Sequence, residues 1–259
     1  MAHAATTEPD NTPQPKKRNW KLLIALPAWV AASFAAAQLL LQAMVWVCQV
    51  VHIPILELAS PAITETVLAS LVYILTLAIA IGVPYAVRRR PTGLETLGLT
   101  RLPSWTDIGL TPLGFIVYAL ASGGLIYLVT QFAPWLATSQ AQDVGFRSLN
   151  HQYEYTLAFV TLVVLAPMAE ETLFRGYLYG KLQAHVPVIV AALATSLLFG
   201  AAHLPGGDHI QWSVALDTFV LSLVMCSLRS LTGSIWAGIL LHMAKNAVAF
   251  YLVFVIQSL

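Results

Sequence analysis

Charge is scarce in this chain. Only 10% of its 259 residues are Asp, Glu, Lys or Arg, 13 basic against 12 acidic, for a formal net charge of +1. A soluble domain usually devotes about a quarter of its residues to charge, so an ordinary water-facing surface is excluded. Without a basic face to neutralise phosphates, a nucleic-acid partner is excluded too. Cysteine is nearly absent: Cys48 and Cys226 stand in apolar stretches with no CxxC or Cys/His spacing. That rules out a disulfide framework and a cysteine zinc site, and both residues read as small core hydrophobes. Internal repeats are missing as well, and with them the inverted-repeat signature of many secondary transporters.

Apolar surface is what the chain has in excess, with 58% hydrophobic residues and a mean hydropathy of +0.74. A hydrocarbon core about 30 Å thick needs roughly 20 apolar residues per helix. Windows at 22–50, 63–87, 107–133, 156–182, 187–204, 210–229 and 234–257 meet or approach that length. The expected fold is all-α, a polytopic integral membrane helical bundle of about seven transmembrane spans, with six or eight left open. Residues 1–19 have no apolar period and read as a disordered cytoplasmic tail; 20–259 form a single transmembrane domain. The run after Lys16, Lys17, Arg18 and Lys21 is too long for a signal-peptide core and reads as an uncleaved first span.

Positive charge tests the topology. With seven spans and a cytoplasmic N-terminus, the inner segments hold Lys16 to Lys21, then Arg88, Arg89, Arg90 and Arg101, then Lys181 and Arg229, while the outer segments hold only Arg147. Residues 134–155 read as an exposed loop with a short interfacial helix. The ending Gln257-Ser258-Leu259 is no retention signal, so the expected location is a bacterial inner membrane.

Polar residues inside the spans each need a reason. A charge at mid-bilayer costs about 2.5 to 3.5 kcal/mol, so Glu170, Glu171 and Arg175 must face each other, other helices or water. Glu171 and Arg175 stand at i and i+4, where a carboxylate and a guanidinium meet on one helix face. Glu170 is rotated about 100° away and has no partner in the local sequence. The i, i+4 spacing recurs in Phe199 with His203, just before Pro205-Gly206-Gly207, and in His242 with Asn246. If the fourth, fifth and seventh spans converge, a carboxylate, two imidazoles and a carboxamide line one cavity.

That set is complete for water-mediated acyl transfer. An apolar site disfavours an ionised carboxylate, which is the tuning a general base near neutral pH requires. His203 shares or shuttles the proton of the attacking water. His242 and Asn246 donate to the oxyanion, where losing one donor typically costs a hundredfold or more. Lys245 reads as snorkelling or paired with Asp217, Asp208 and His209 as a solvated loop, and Tyr177, Tyr179, Trp212 and Trp236 as packing or interfacial aromatics.

The runs Ala166-Pro167-Met168-Ala169-Glu170-Glu171-Thr172-Leu173-Phe174-Arg175-Gly176, Leu198-Phe199-Gly200-Ala201-Ala202-His203-Leu204 and His242-Met243-Ala244-Lys245-Asn246 resemble the EExxxR, FxxxH and HxxxN motifs of the CAAX protease and bacteriocin-processing (CPBP) family. The resemblance covers about residues 157–250, with Leu97-Gly98-Leu99-Thr100-Arg101 a further echo. It implies an α-helical intramembrane endopeptidase fold, whose eukaryotic members trim the last three residues from prenylated CAAX proteins and whose bacterial members include enzymes linked to bacteriocin immunity. It makes Glu170 the water-activating base beside His203, places His242 and Asn246 on the oxyanion side, and gives Glu171 and Arg175 supporting positions. Glu170, His203 and His242 are also a conceivable zinc set. The chain has no HExxH, however, and a glutamate base needs no metal, so no cofactor is expected and zinc is the alternative.

The function expected is an intramembrane endopeptidase acting on a lipidated or membrane-associated peptide or protein, with membrane lipid as its surroundings. Two other readings are a non-catalytic immunity or partner-binding protein of the same fold and a proton-coupled transporter.

Overall fold

The computed structural model describes residues 18–54, 59–136, 146, 149–206 and 209–256. The protein is an all-α polytopic bundle. Among the described residues, six helices are long and apolar enough to cross a membrane: α1 (Leu22–Val50), α2 (Pro61–Arg88), α3 (Trp105–Phe132), α4 (Gln152–Leu182), α6 (Trp212–Thr232) and α7 (Trp236–Ile256). The fifth expected window, 187–204, forms α5 (Val188–Ala202), of 15 residues. At 1.5 Å per residue α5 reaches about 22 Å, short of a bilayer core. It is clipped by Pro187 at its N-cap and by the backbone turn at His203, ahead of Pro205. Beyond it, Pro205–Gly206 and His209–Ile210 make a minimal antiparallel pairing.

Proline sets the irregularities that aim the helices. Pro84 in α2 cannot bond the carbonyl of Ala80, and a π-helical turn, Ala78–Gly82, stands just before it. The Ala80 carbonyl takes the Trp29 indole N–H of α1 instead, at 3.0 Å. This is how a broken helix bond is made good inside a membrane. In α4, Pro167 likewise follows a π-helical segment, Val160–Leu165, and a second one, Thr172–Tyr179, follows Glu171.

The centre of the bundle is made by α4 and α6. In the second π-helical segment every residue from Leu173 to Tyr179 is buried. Helix α6 packs on α3, α5 and α7, and Leu221, Met225 and Cys226 are fully buried in the shared core. Outward-facing side chains such as Ile24, Leu120 and Ile189 are 77%, 73% and 74% exposed. So much exposed apolar surface suits lipid rather than water.

A short helical turn, Leu94–Leu97, is clamped to this core. Gly98 closes the turn at φ +70, a left-handed conformation that glycine adopts without strain. The Arg229 guanidinium donates to the carbonyls of Glu95 and Thr96 at 3.2 Å. Ser234 Oγ donates to the Gly98 carbonyl at 3.0 Å and Trp236 Nε1 to that of Arg101 at 2.7 Å. Residues 97–101 therefore latch onto the α6–α7 connection. Past them, Ser104 and Asp107 form a capping box at the start of α3, with Arg101 paired to Asp107.

Residues 1–17 of the tail expected at 1–19, and half of the loop expected at 134–155, lie outside the described residues. What is described of that loop is a single turn, Pro134–Leu136, and the capped start of α4, where Glu154 accepts from the Asn150 and His151 amides at 2.8 and 3.0 Å.

Candidate active site

The adjacent glutamates at the end of the Ala166–Glu171 turn of α4 meet opposite environments. Glu171 points into the protein and is wholly buried. Arg175, equally buried, donates from Nη1 to Glu171 Oε1 at 2.9 Å, the i, i+4 contact expected from the spacing. The same oxygen holds His242 Nδ1 of α7 at 3.1 Å. Gly238 lets α7 come this close, since a Cβ there would stand 3.2 Å from Glu171 Oε2. Phe199 of α5 closes the knot: the Arg175 guanidinium lies 4.3 Å from its ring centroid, and its ring packs against His203 and His242 at 4.7 and 5.9 Å. One aromatic side chain thus touches the polar groups of all three motif helices.

Glu170 faces the other way, into open space. It lies between two cavities and lines both, together with His203 and Tyr73. The first, about 420 Å³, is apolar and is walled by α1, α2, α4 and α5, with Phe34, Leu77, Phe174 and Leu198 on its surface. The second, about 360 Å³, carries the polar groups His242, Lys245, Asn246 and Thr218. Tyr73 of α2 donates from its phenol to Glu170 Oε1 at 3.0 Å. Thr161 and Thr66 hold the same pair of helices together by a hydroxyl contact at 3.2 Å.

Hydrogen bonds fix the two imidazoles. His203 Nδ1 stands 2.8 Å from the Phe199 carbonyl. A carbonyl only accepts, so Nδ1 carries the proton and Nε2 of the neutral ring is left as an acceptor. His242 Nδ1 faces a carboxylate and donates to it in the same way. Asn246 spends one amide N–H on the Leu162 carbonyl at 2.9 Å and keeps its other N–H and its oxygen.

The six residues singled out in the sequence divide between these two places. Glu170, His203, His242 and Asn246 share the polar cavity, and Glu171 and Arg175 lie behind it in the buried knot. Lys245 also lines that cavity and stands 3.8 Å from Asp217, whose other oxygen accepts from Tyr118 at 2.7 Å. Tyr177 and Tyr179 are core packing, 2% and 0% exposed. Asp208, and His209 in its side chain, lie outside the described residues.

Sequence reasoning missed Tyr73. Its only signal was a phenol within a span, and nothing in the chain ties position 73 to position 170. No three His, Cys, Asp or Glu side chains among the described residues are grouped to hold a metal ion, so no step is derived through zinc.

Comparison with known proteins finds similarity over the motif helices. An 89-residue stretch is 34% identical to an Escherichia coli protein described as an uncharacterized 24.3 kDa protein, covering 34% of this chain and 40% of that one. The chain thus spans less than half the length of this curated relative. No solved structure matches the chain. Residues 152–248 match the family model described as type II CAAX prenyl endopeptidase Rce1-like. Over that stretch, the chain is similar to the Rce1-like family of type II CAAX prenyl endopeptidases.

Proposed function

We propose that this protein is an intramembrane endopeptidase that hydrolyses a peptide bond with water activated by Glu170. The observation that carries the reading is the position of Glu170, among the described residues the one carboxylate common to an apolar cavity fit for a lipid or aliphatic chain and a polar cavity fit for peptide chemistry.

In this mechanism Glu170 takes a proton from water held between it and His203 Nε2, and the hydroxide attacks the scissile carbonyl carbon. The carbonyl π electrons move onto oxygen, then return to re-form the carbonyl as the C–N bond breaks, its electron pair leaving with the nitrogen, which takes the captured proton from Glu170. Tyr73 orients the base through its 3.0 Å bond. Asn246 offers its unused N–H to the oxyanion. His242 does so from Nε2 only with both nitrogens protonated, because Nδ1 already donates to Glu171. Glu171, Arg175 and Phe199 hold these helices in register. The substrate is a lipidated or membrane-associated peptide, its apolar part in the first cavity.

The decisive experiment compares cleavage of a farnesylated peptide and an unmodified apolar peptide by wild type, Glu170→Gln and His203→Ala in detergent. Each variant is expected to lose about a hundredfold or more of turnover while remaining folded and membrane-inserted. Unchanged turnover in either variant would overturn the reading.

A further inference from the structure

A larger cavity, about 760 Å³, shares no lining residue with the two at Glu170. It is formed where α1 begins and where α2 and α4 end, which is the level at which spanning helices leave the hydrocarbon. Its walls are of two kinds. Leu26, Trp29 and Val87 give an apolar side, while Arg88, Lys181 and His185 give a cationic or protonatable one. Among the described residues, no Asp or Glu lines it.

Among the described residues, no carboxylate compensates these cations. Lys181 is half-buried, and its ammonium lies 4.7 Å from the centroid of the Tyr177 ring. Arg88 stands near enough to repel it. Among the described residues, neither forms an ion pair with a carboxylate. Two like charges facing one cavity without a counter-charge favour a shared anion, and phosphate is the anion abundant at a membrane surface. A free phosphate would engage the cations and leave the apolar wall against water. A phospholipid would cover both.

We propose that this cavity binds an anionic phospholipid, its phosphate between Arg88 and Lys181 and its acyl chain along the α1–α2 wall. Arg89 and Arg90 follow Arg88 in the chain and add to the attraction for an anionic headgroup. The site is separate from the proposed peptide chemistry and does not depend on it.

The test is native mass spectrometry of the full-length protein in micelles containing phosphatidylglycerol and phosphatidylcholine with the same chains. Wild type is expected to retain phosphatidylglycerol about tenfold or more over phosphatidylcholine. Arg88→Gln, an exposed change that leaves the core untouched, should lower that preference severalfold. The Arg88→Gln/Lys181→Gln double variant should bring it near parity, whereas Lys181→Arg alone, which keeps both charges, should hold the wild-type preference. No preference in wild type, or one unaltered in the double variant, overturns the proposal. Thermal stabilisation by inorganic phosphate equal to that by phosphatidylglycerol and lost in the same variants assigns the cavity to a free ion and overturns it too.

Discussion

Tyr73 and Glu170, 97 residues apart in the chain, are joined by a 3.0 Å hydrogen bond from the phenol of α2 to the carboxylate of α4. The contact gives the proposed base one fixed oxygen and leaves the other for water. A hydrogen bond to a charged group contributes about 1.5–3 kcal/mol, which corresponds to about 10–100-fold in rate if it orients the base. Tyr73→Phe is therefore expected to lower kcat/KM by that factor in protein that still folds. Full activity in Tyr73→Phe would remove the phenol from the mechanism.

The knot of Glu171, Arg175 and His242 predicts a stability effect rather than a purely kinetic one. Both charged groups are 0% exposed, and removing one partner of a buried pair costs about 3–5 kcal/mol because the other charge stays buried alone. Glu171→Gln and Arg175→Met should each lower the unfolding temperature in detergent by several degrees or prevent accumulation of folded protein. Thermal unfolding followed by tryptophan fluorescence reads this directly, and a melting temperature equal to wild type in both would refute a locking role.

Close helix approach makes glycine positions unequal. A Cβ on Gly180 would fall 2.2 Å from the Thr96 carbonyl oxygen, whereas one on Gly82 meets nothing within 4 Å. Gly180→Ala must push the Leu94–Leu97 turn off α4 and should cost about 1–3 kcal/mol. Gly82→Ala, in a helical conformation with open space, should be neutral or slightly stabilising. Equal melting temperatures for the two variants would mean that the turn is not held against α4 as described.

Metal dependence is a separate prediction. With water activated by Glu170 and no step assigned to a metal, cleavage should survive exhaustive chelation, with metal analysis confirming depletion. Activity that vanishes on chelation and returns with zinc would replace the glutamate-base mechanism by a metal-centred one.

Much of the helical framework was legible in the sequence. The seven apolar windows coincide with the helices to within four residues, because hydropathy and proline placement act over a few residues at a time. The Glu171–Arg175 contact was legible for the same reason, being set by helical pitch. The shortness of α5 was only half visible, since its apolar run continues through His203 to Leu204 while the backbone turns out of the helix at His203. The role of Phe199 was not visible at all. Its spacing to His203 showed a shared face, but its stacking beneath Arg175 depends on how α4 and α5 pack.

The sequence by itself determined that this chain is apolar enough for a membrane, where its apolar helices lie, and that acids, imidazoles and an amide stand within them at helical spacing. Those are consequences of composition and of a 3.6-residue period, and they need no knowledge of distant neighbours. Only the tertiary structure decided that Glu170 faces two cavities with Tyr73 beside it while Glu171, one residue on, is sealed against Arg175 and His242. Adjacent residues on a helix point about 100° apart, so which of them meets a cavity and which meets a core is fixed by the helices packed around them.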